Sequence, residues 1–145
     1  MPEPPPVLLT HGHYYGTLAA ARCLGRAGVP VTLAEGDRLA PACWSKYVTR
    51  RVRCPKASEP QAFLSWLLRF GERSRTRHVL LPSSDEVAWL FADSRAALAE
   101  HYHLLSPSLR TIGRLLDKRS LFEACRAVNL AAPETRFPQS EDEVL

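Results

Sequence analysis

Short apolar runs of strand length alternate along the chain with longer stretches whose apolar residues recur at helical spacing. Val7 to Thr10 is the first short run and Val31 to Ala34 the second. Between them Leu18, Ala19, Ala20, Ala21, Cys23 and Leu24 have helical composition, and Gly28, followed by Val29 and Pro30, stops that helix. Strand, helix and strand within about thirty residues make a βαβ unit, whose parallel strands need a right-handed crossover. The rhythm then repeats. Val48 to Cys54 is expected as a third strand, with Val48, Val52 and Cys54 on one face and Arg51 and Arg53 on the other. Phe63, Leu64, Trp66, Leu67, Leu68 and Phe70 predict a helix with a wide apolar face, and His78 to Leu81 a fourth strand. Beyond Pro82, the residues Val87, Leu90, Phe91 and Leu98 continue as helix, and His103 to Leu105 is a short fifth strand. Such alternation predicts an α/β protein with a doubly wound parallel sheet flanked by helices.

The last third breaks the rhythm. Leu109, Ile112, Leu115 and Leu116 predict one short helix, and Asp117 can cap the next, which carries Leu121, Phe122, Cys125 and Val128 on one face. Pro133 then releases a strand-like Glu134 to Phe137. Gln139 to Leu145 reads as a helix start, with Glu141, Asp142 and Glu143 in the turn where acids are favoured. Because a domain does not end on a lone strand and the start of a helix, the polypeptide is expected to continue past Leu145.

Length and charge narrow the picture. With 145 residues the chain can bury one core, so one domain and part of a second are expected. No apolar run approaches the roughly 20 residues that span a bilayer. The opening Met-Pro-Glu-Pro-Pro-Pro lacks the features of a secretory leader, so a cytoplasmic protein without membrane contact is expected. Cys23, Cys43, Cys54 and Cys125 are scattered, with no CxxC pair, and read as reduced structural thiols. The net charge of +4 rests on 16 Arg against 3 Lys, with clusters at Arg50, Arg51, Arg53 and at Arg73, Arg75, Arg77. No nucleic-acid motif or interleaved aromatic platform accompanies them, so they read as a solvated basic face, and nucleic acid is not an expected partner.

Three stretches carry candidate chemistry. The turn after the first strand, His11-Gly12-His13-Tyr14-Tyr15-Gly16, has two of the three glycines of a dinucleotide fingerprint. His13 to Tyr15 put large side chains where a pyrophosphate needs bare backbone, although Glu35, ending the second strand, stands where a ribose-binding acid would. His11 and His13, two apart in an extended segment, put both imidazoles on one side, yet only Asp85 and Glu86 are at hand as further ligands. The pair His101 and His103 reads as a helix end and a strand start, and no metal site is expected. In "LLPSSDEV", Ser83 with Glu86 fits a capping box at the carboxyl edge of the sheet, which leaves Ser84 and Asp85 as candidate ligand contacts. In "LLDKRSLFEACRAVNLAAPET", an Asp117 cap puts Lys118 and Arg119 in the first helical turn, where the macrodipole disfavours cations by roughly 0.3 to 1 kcal/mol. A phosphate at that helix start would resolve the conflict.

Assembled, these residues resemble the ATP-grasp superfamily, in its carboxylate-amine ligase and carbamoyl-phosphate-synthase-like branch. "DKRSLFEACRAVNLAAPET" resembles the segment that opens the ATP-grasp module. "GTLAAARCLGRAGVPVTLAEGD", "SKYV" and "LLPSSDEV" resemble the Rossmann-like pre-ATP-grasp domain that precedes it. The resemblance implies a Pro-rich disordered segment at 1–6, a pre-ATP-grasp domain at 7–114, and the first helix and strand of an ATP-grasp fold at 115–145. It implies an ATP-dependent ligase that activates a carboxylate as an acylphosphate for attack by an amine-type nucleophile. Lys118 would contact the ATP phosphates. Gly12, His13, Glu35, Ser84 and Asp85 would line the substrate cleft. ATP and Mg²⁺ are the implied cofactors, with the Mg²⁺ ligands, a second phosphate-binding lysine and the adenine-contacting strand further along than Leu145, so this chain by itself is expected to be inactive. A small-molecule carboxylate and the remainder of the ATP-grasp domain are the implied partners, and a homodimer is an assembly the family allows. The competing expectation is a Rossmann-like module that binds a nucleotide or dinucleotide without chemistry.

Overall fold

A computed structural model describes residues 3–143. The chain divides into two compact units, one ending at Pro107 and one beginning at Ser108. The helix over residues 109–116, which straddles the expected boundary after residue 114, falls wholly in the second unit.

In the first unit the strands are β1 (Val7–Thr10), β2 (Val31–Ala34), β3 (Arg50–Val52), β4 (Val79–Leu80) and β5 (His103–Leu104). They form one parallel sheet in the order β3-β2-β1-β4-β5, the Rossmann-like strand order, with β1 at the point where the winding reverses. The helices are α1 (Tyr15–Arg26), α2 (Pro60–Arg73), α3 (Asp85–Asp93) and α4 (Arg95–Ala99), and Pro41–Trp44 forms a 3-10 turn. Right-handed crossovers assign them to faces. Val7, Leu9, Val31 and Leu33 pack with Ala21 of α1 and Ala42 and Cys43 of the 3-10 turn. Leu8 and Ala34 pack on the opposite face with Phe63 and Leu67 of α2, Val87 and Phe91 of α3 and Leu98 of α4. The period of two along β1 and β2 therefore divides one apolar run between two cores.

Several expectations are corrected. Pro6 is part of the fold: its carbonyl accepts from the Val79 amide, while Met1 and Pro2 lie outside the described residues. The third strand is shorter than 48–54, and Val48 packs on the α1 face whereas Val52 and Cys54 face α2. Alternation cannot relate them, because Val48 sits in a turn in which its amide bonds the Ser45 carbonyl. The expected fourth and fifth strands lose their end residues. The helix after Pro82 breaks at Ser94, whose amide closes α3 on Leu90 while its carbonyl opens α4 to Leu98.

The second unit pairs α5 (Leu109–Leu116) with α6 (Lys118–Ala127). Ser108 caps α5 by accepting from the Thr111 amide, and Asp117 caps α6 through Ser120. Asn129, at φ 55°, ends α6 with its left-handed backbone as the Leu130 amide turns back to the Cys125 carbonyl. Residues 134–137, expected as a strand, form none, because no strand among the described residues pairs with them. Phe137 instead meets Phe122 edge-on at 5.8 Å. Of the expected terminal helix, a 3-10 turn at Glu141–Glu143 is present; Val144 and Leu145 lie outside the described residues.

Candidate functional site

The carboxyl ends of β1, β2 and β4 gather most of the sequence-predicted positions. The last carbonyl of β1, on Thr10, accepts the hydroxyls of Thr17 at 3.0 Å and Ser83 at 2.7 Å. Ser83 also lies 2.9 Å from the Thr10 hydroxyl, so it links the tips of β1 and β4. This explains why the expected capping box shifts by one residue: with Ser83 engaged across the sheet, Ser84 takes the cap of α3 and accepts from the Val87 amide at 3.3 Å. Glu86 then stands at the second helical position, its carboxyl held below the usual range by its own amide and by the Ser84 hydroxyl.

After β1 the chain turns sharply at His11, whose φ of 53° is uncommon for a residue with a side chain. The His11 ring stacks on Tyr14 at 5.3 Å, and burial lowers its pKa, against the pull of Glu35 and Glu86. Gly12 is there for space. A Cβ on it would stand 3.0 Å from the Ala40 Cβ and 3.2 Å from Glu35 Cγ. One Glu35 oxygen accepts from the Gly12 amide at 2.7 Å and the other from the Asp37 amide at 2.9 Å. The Glu35 carboxylate, a candidate cleft contact, thus also clamps two loops together.

His13 Nε2 meets Asp37 Oδ2 at 2.9 Å, and both side chains are half exposed. The Leu39 amide, followed by His13, holds the Asp37 carboxyl below its ordinary range. His11 and His13 consequently engage different partners, and among the described residues no three His, Cys, Asp or Glu side chains converge to hold a metal.

A cavity of about 830 Å³ opens beside this loop, lined by His11, His13, Glu35, Asp37, Cys54 and Lys56 among others. The Cys54 thiol is pushed up to about 12 by burial, with Glu35 adding to the effect, so it is inert as a nucleophile. A second cavity, of about 490 Å³, lies between the tips of β1 and β4 and is lined by Gly16, Thr17, Ser83, Ser84 and Asp85. The sequence candidates therefore separate: His13 and Glu35, with Gly12 behind them, belong to the first cavity, and Ser84 and Asp85 to the second.

No family model matches the chain, and no curated protein matches it. The chemistry is accordingly read from the site alone. The first cavity offers a solvent-facing imidazole oriented by a carboxylate, an arrangement suited to proton exchange with a polar ligand, beside one lysine. Asp37 and Lys56 were missed by sequence reasoning. Asp37 pairs with a histidine 24 positions earlier, a distance only the return from β2 closes, and Lys56 sits in a loop without a motif.

In the second unit, the Asp117 cap is formed as expected, at 2.8 Å to the Ser120 amide. Arg119 lies over the Phe137 ring at 5.1 Å and donates to its carbonyl. Lys118, at the first helical position, is exposed and forms no hydrogen bond or ion pair among the described residues.

Proposed function

We propose that the chain is the N-terminal part of an ATP-dependent ligase of the ATP-grasp type, which transfers the terminal phosphoryl group of ATP to a carboxylate and lets an amine-type nucleophile displace phosphate. The observation that carries the reading is the start of α6. Of the two cations in its first turn, Arg119 is satisfied by Phe137, and Lys118 is left beside a helix N-terminus whose capping carboxylate occupies only one amide. That combination suits one phosphate group. The residues present fit a single phosphate contact; the acids that would hold Mg²⁺ have no counterpart among the described residues.

In this reading, Lys118 holds an ATP phosphate, and the carboxyl edge of the sheet supplies substrate contacts through the His13–Asp37 pair and the Ser84–Asp85 corner. A cytoplasmic setting and a homodimer belong to the same proposal. Among the described residues no helix is long and apolar enough to cross a membrane.

The test is nucleotide affinity in the full-length protein. Lys118→Ala should weaken ATP binding by about 1 to 3 kcal/mol, the scale of one charge-assisted contact. Unchanged calorimetric affinity would remove the assignment. The strand order and the cavity between the tips of β1 and β4 favour a second reading, a nucleotide-binding module without chemistry. For a dinucleotide it is weakened by the engaged Glu35 carboxylate. Binding of NAD that is insensitive to Lys118→Ala would move it ahead.

A further inference from the structure

At the opposite, amino ends of the strands, under the last turns of α2, lies a cavity of about 650 Å³. Four arginines line it: Arg50 at the start of β3, Arg69 and Arg73 from α2, and Arg75 from the loop before β4. Among the described residues no carboxylate lines it. Among the described residues the guanidinium hydrogen bonds are made by Arg77, Arg95 and Arg119, and the arginine ion pair by Arg136, so none of these four is neutralised. Arg50 is fixed by its position 5.6 Å over the Phe70 ring, which stacks in turn on Trp66 at 5.1 Å.

The cavity also has a buried polar group. His78 is only 5% exposed and lines it. Its Nε2 lies 3.3 Å from the Thr32 hydroxyl, while Nδ1 is buried without a well-formed hydrogen bond among the described residues, although the Thr76 backbone acts on the ring. His78 therefore stands in the cavity wall, where it would sense the charge of a bound anion.

We propose that this cavity binds a small phosphate-bearing anion, held by the guanidinium groups of Arg50, Arg69, Arg73 and Arg75. Four positive charges with no acid among them call for a multiply charged partner, and the planar fork of arginine matches phosphate oxygens two at a time. The volume lies within the roughly 300 to 1,000 Å³ of small-molecule sites. The four arginines converge on a concavity from three separate segments, whereas a nucleic-acid backbone is tracked by cations spread along a face. The site is remote from the carboxyl edge and does not rest on the ligase reading.

The experiment titrates the whole chain with inorganic pyrophosphate at about 0.15 M salt, following the His78 imidazole signals by NMR, assigned through His78→Gln. Saturable displacement of those signals is expected, together with a rise of the His78 titration midpoint as the anion stabilises the imidazolium. The double variant Arg69→Ala/Arg73→Ala should bind about tenfold more weakly or worse, with an unchanged circular dichroism spectrum, since both side chains are exposed. Arg75→Ala, in a loop, gives an independent loss should the helix variant unfold. Absence of saturation, or affinity indifferent to these arginines, overturns the site. Loss only in Lys118→Ala does the same. Equal affinity for citrate overturns the phosphate class, and a single-stranded oligonucleotide that displaces pyrophosphate with affinity growing with its length replaces the small ligand by a nucleic acid.

Discussion

Glu35 shows how a residue's type and place can be read in the sequence while its hydrogen-bond partners cannot. Its position after a strand suits a ligand-binding acid, yet both oxygens are taken by the amides of Gly12 and Asp37. Glu35→Ala should therefore act first on stability, costing about 1 to 3 kcal/mol per charged hydrogen bond lost. Urea unfolding measures that cost, and hydrogen exchange should show the two amides losing protection together. At the tip of β4 the two serines have different tasks, so their variants should differ. Ser84→Ala removes the α3 cap and should cost about 1 kcal/mol, with fraying confined to the first turn of α3. Ser83→Ala releases Thr10 instead, and its effect should appear in the exchange of β1.

Among the elements, α1 and α2 each contain glycines whose roles the sequence does not distinguish. A Cβ on Gly71 would stand 2.6 Å from His101 Cβ and 2.8 Å from the ring of Tyr102, which is buried and held by its hydroxyl donating to the Leu67 carbonyl. Gly71→Ala should destabilise by about 1 to 3 kcal/mol through overpacking. Gly16, at the start of α1, has nothing within 4 Å of such an atom. Gly16→Ala should stabilise by about 0.4 to 1 kcal/mol by restricting the unfolded chain. Opposite displacements of the denaturant midpoint at constant m-value are the expected result. Helix faces were legible because Phe63, Leu67, Phe91 and Leu98 carry their burial in their spacing. The break at Ser94 was not, since its neighbours continue the same periodicity on both sides.

For the whole molecule, protons report how the core is built. His11 and His78 both have lowered pKa values, caused chiefly by burial; at His78 the Thr76 backbone opposes the fall and Arg50 adds to it. Below their ordinary value of 6.5 the unfolded chain takes up protons that the folded chain resists. Their contribution to stability is therefore complete above that pH and is lost as the pH falls through it toward the folded values. Urea midpoints should be level above about pH 7 and decline through the sixes. His78→Gln should flatten part of that decline, and a midpoint constant down to about pH 5 would contradict the burial of both rings. The carboxyls of Asp37 and Asp117, held below 3.8 by hydrogen bonds, should add a separate loss only in stronger acid.

The local pattern determined the parallel α/β class, the alternation that gives β1 and β2 a face toward each core, and the Asp117 cap with Lys118 in the next position. Each depends on residues close in sequence, where periodicity and capping act directly. Tertiary structure decided which groups meet: Glu35 with the Gly12 amide, His13 with Asp37, Ser83 with Thr10, and four arginines from separate segments around His78. Those pairings depend on strand order and on how each crossover returns the chain. Hydrogen bonds and charges are local in space, and only the fold determines which residues share it.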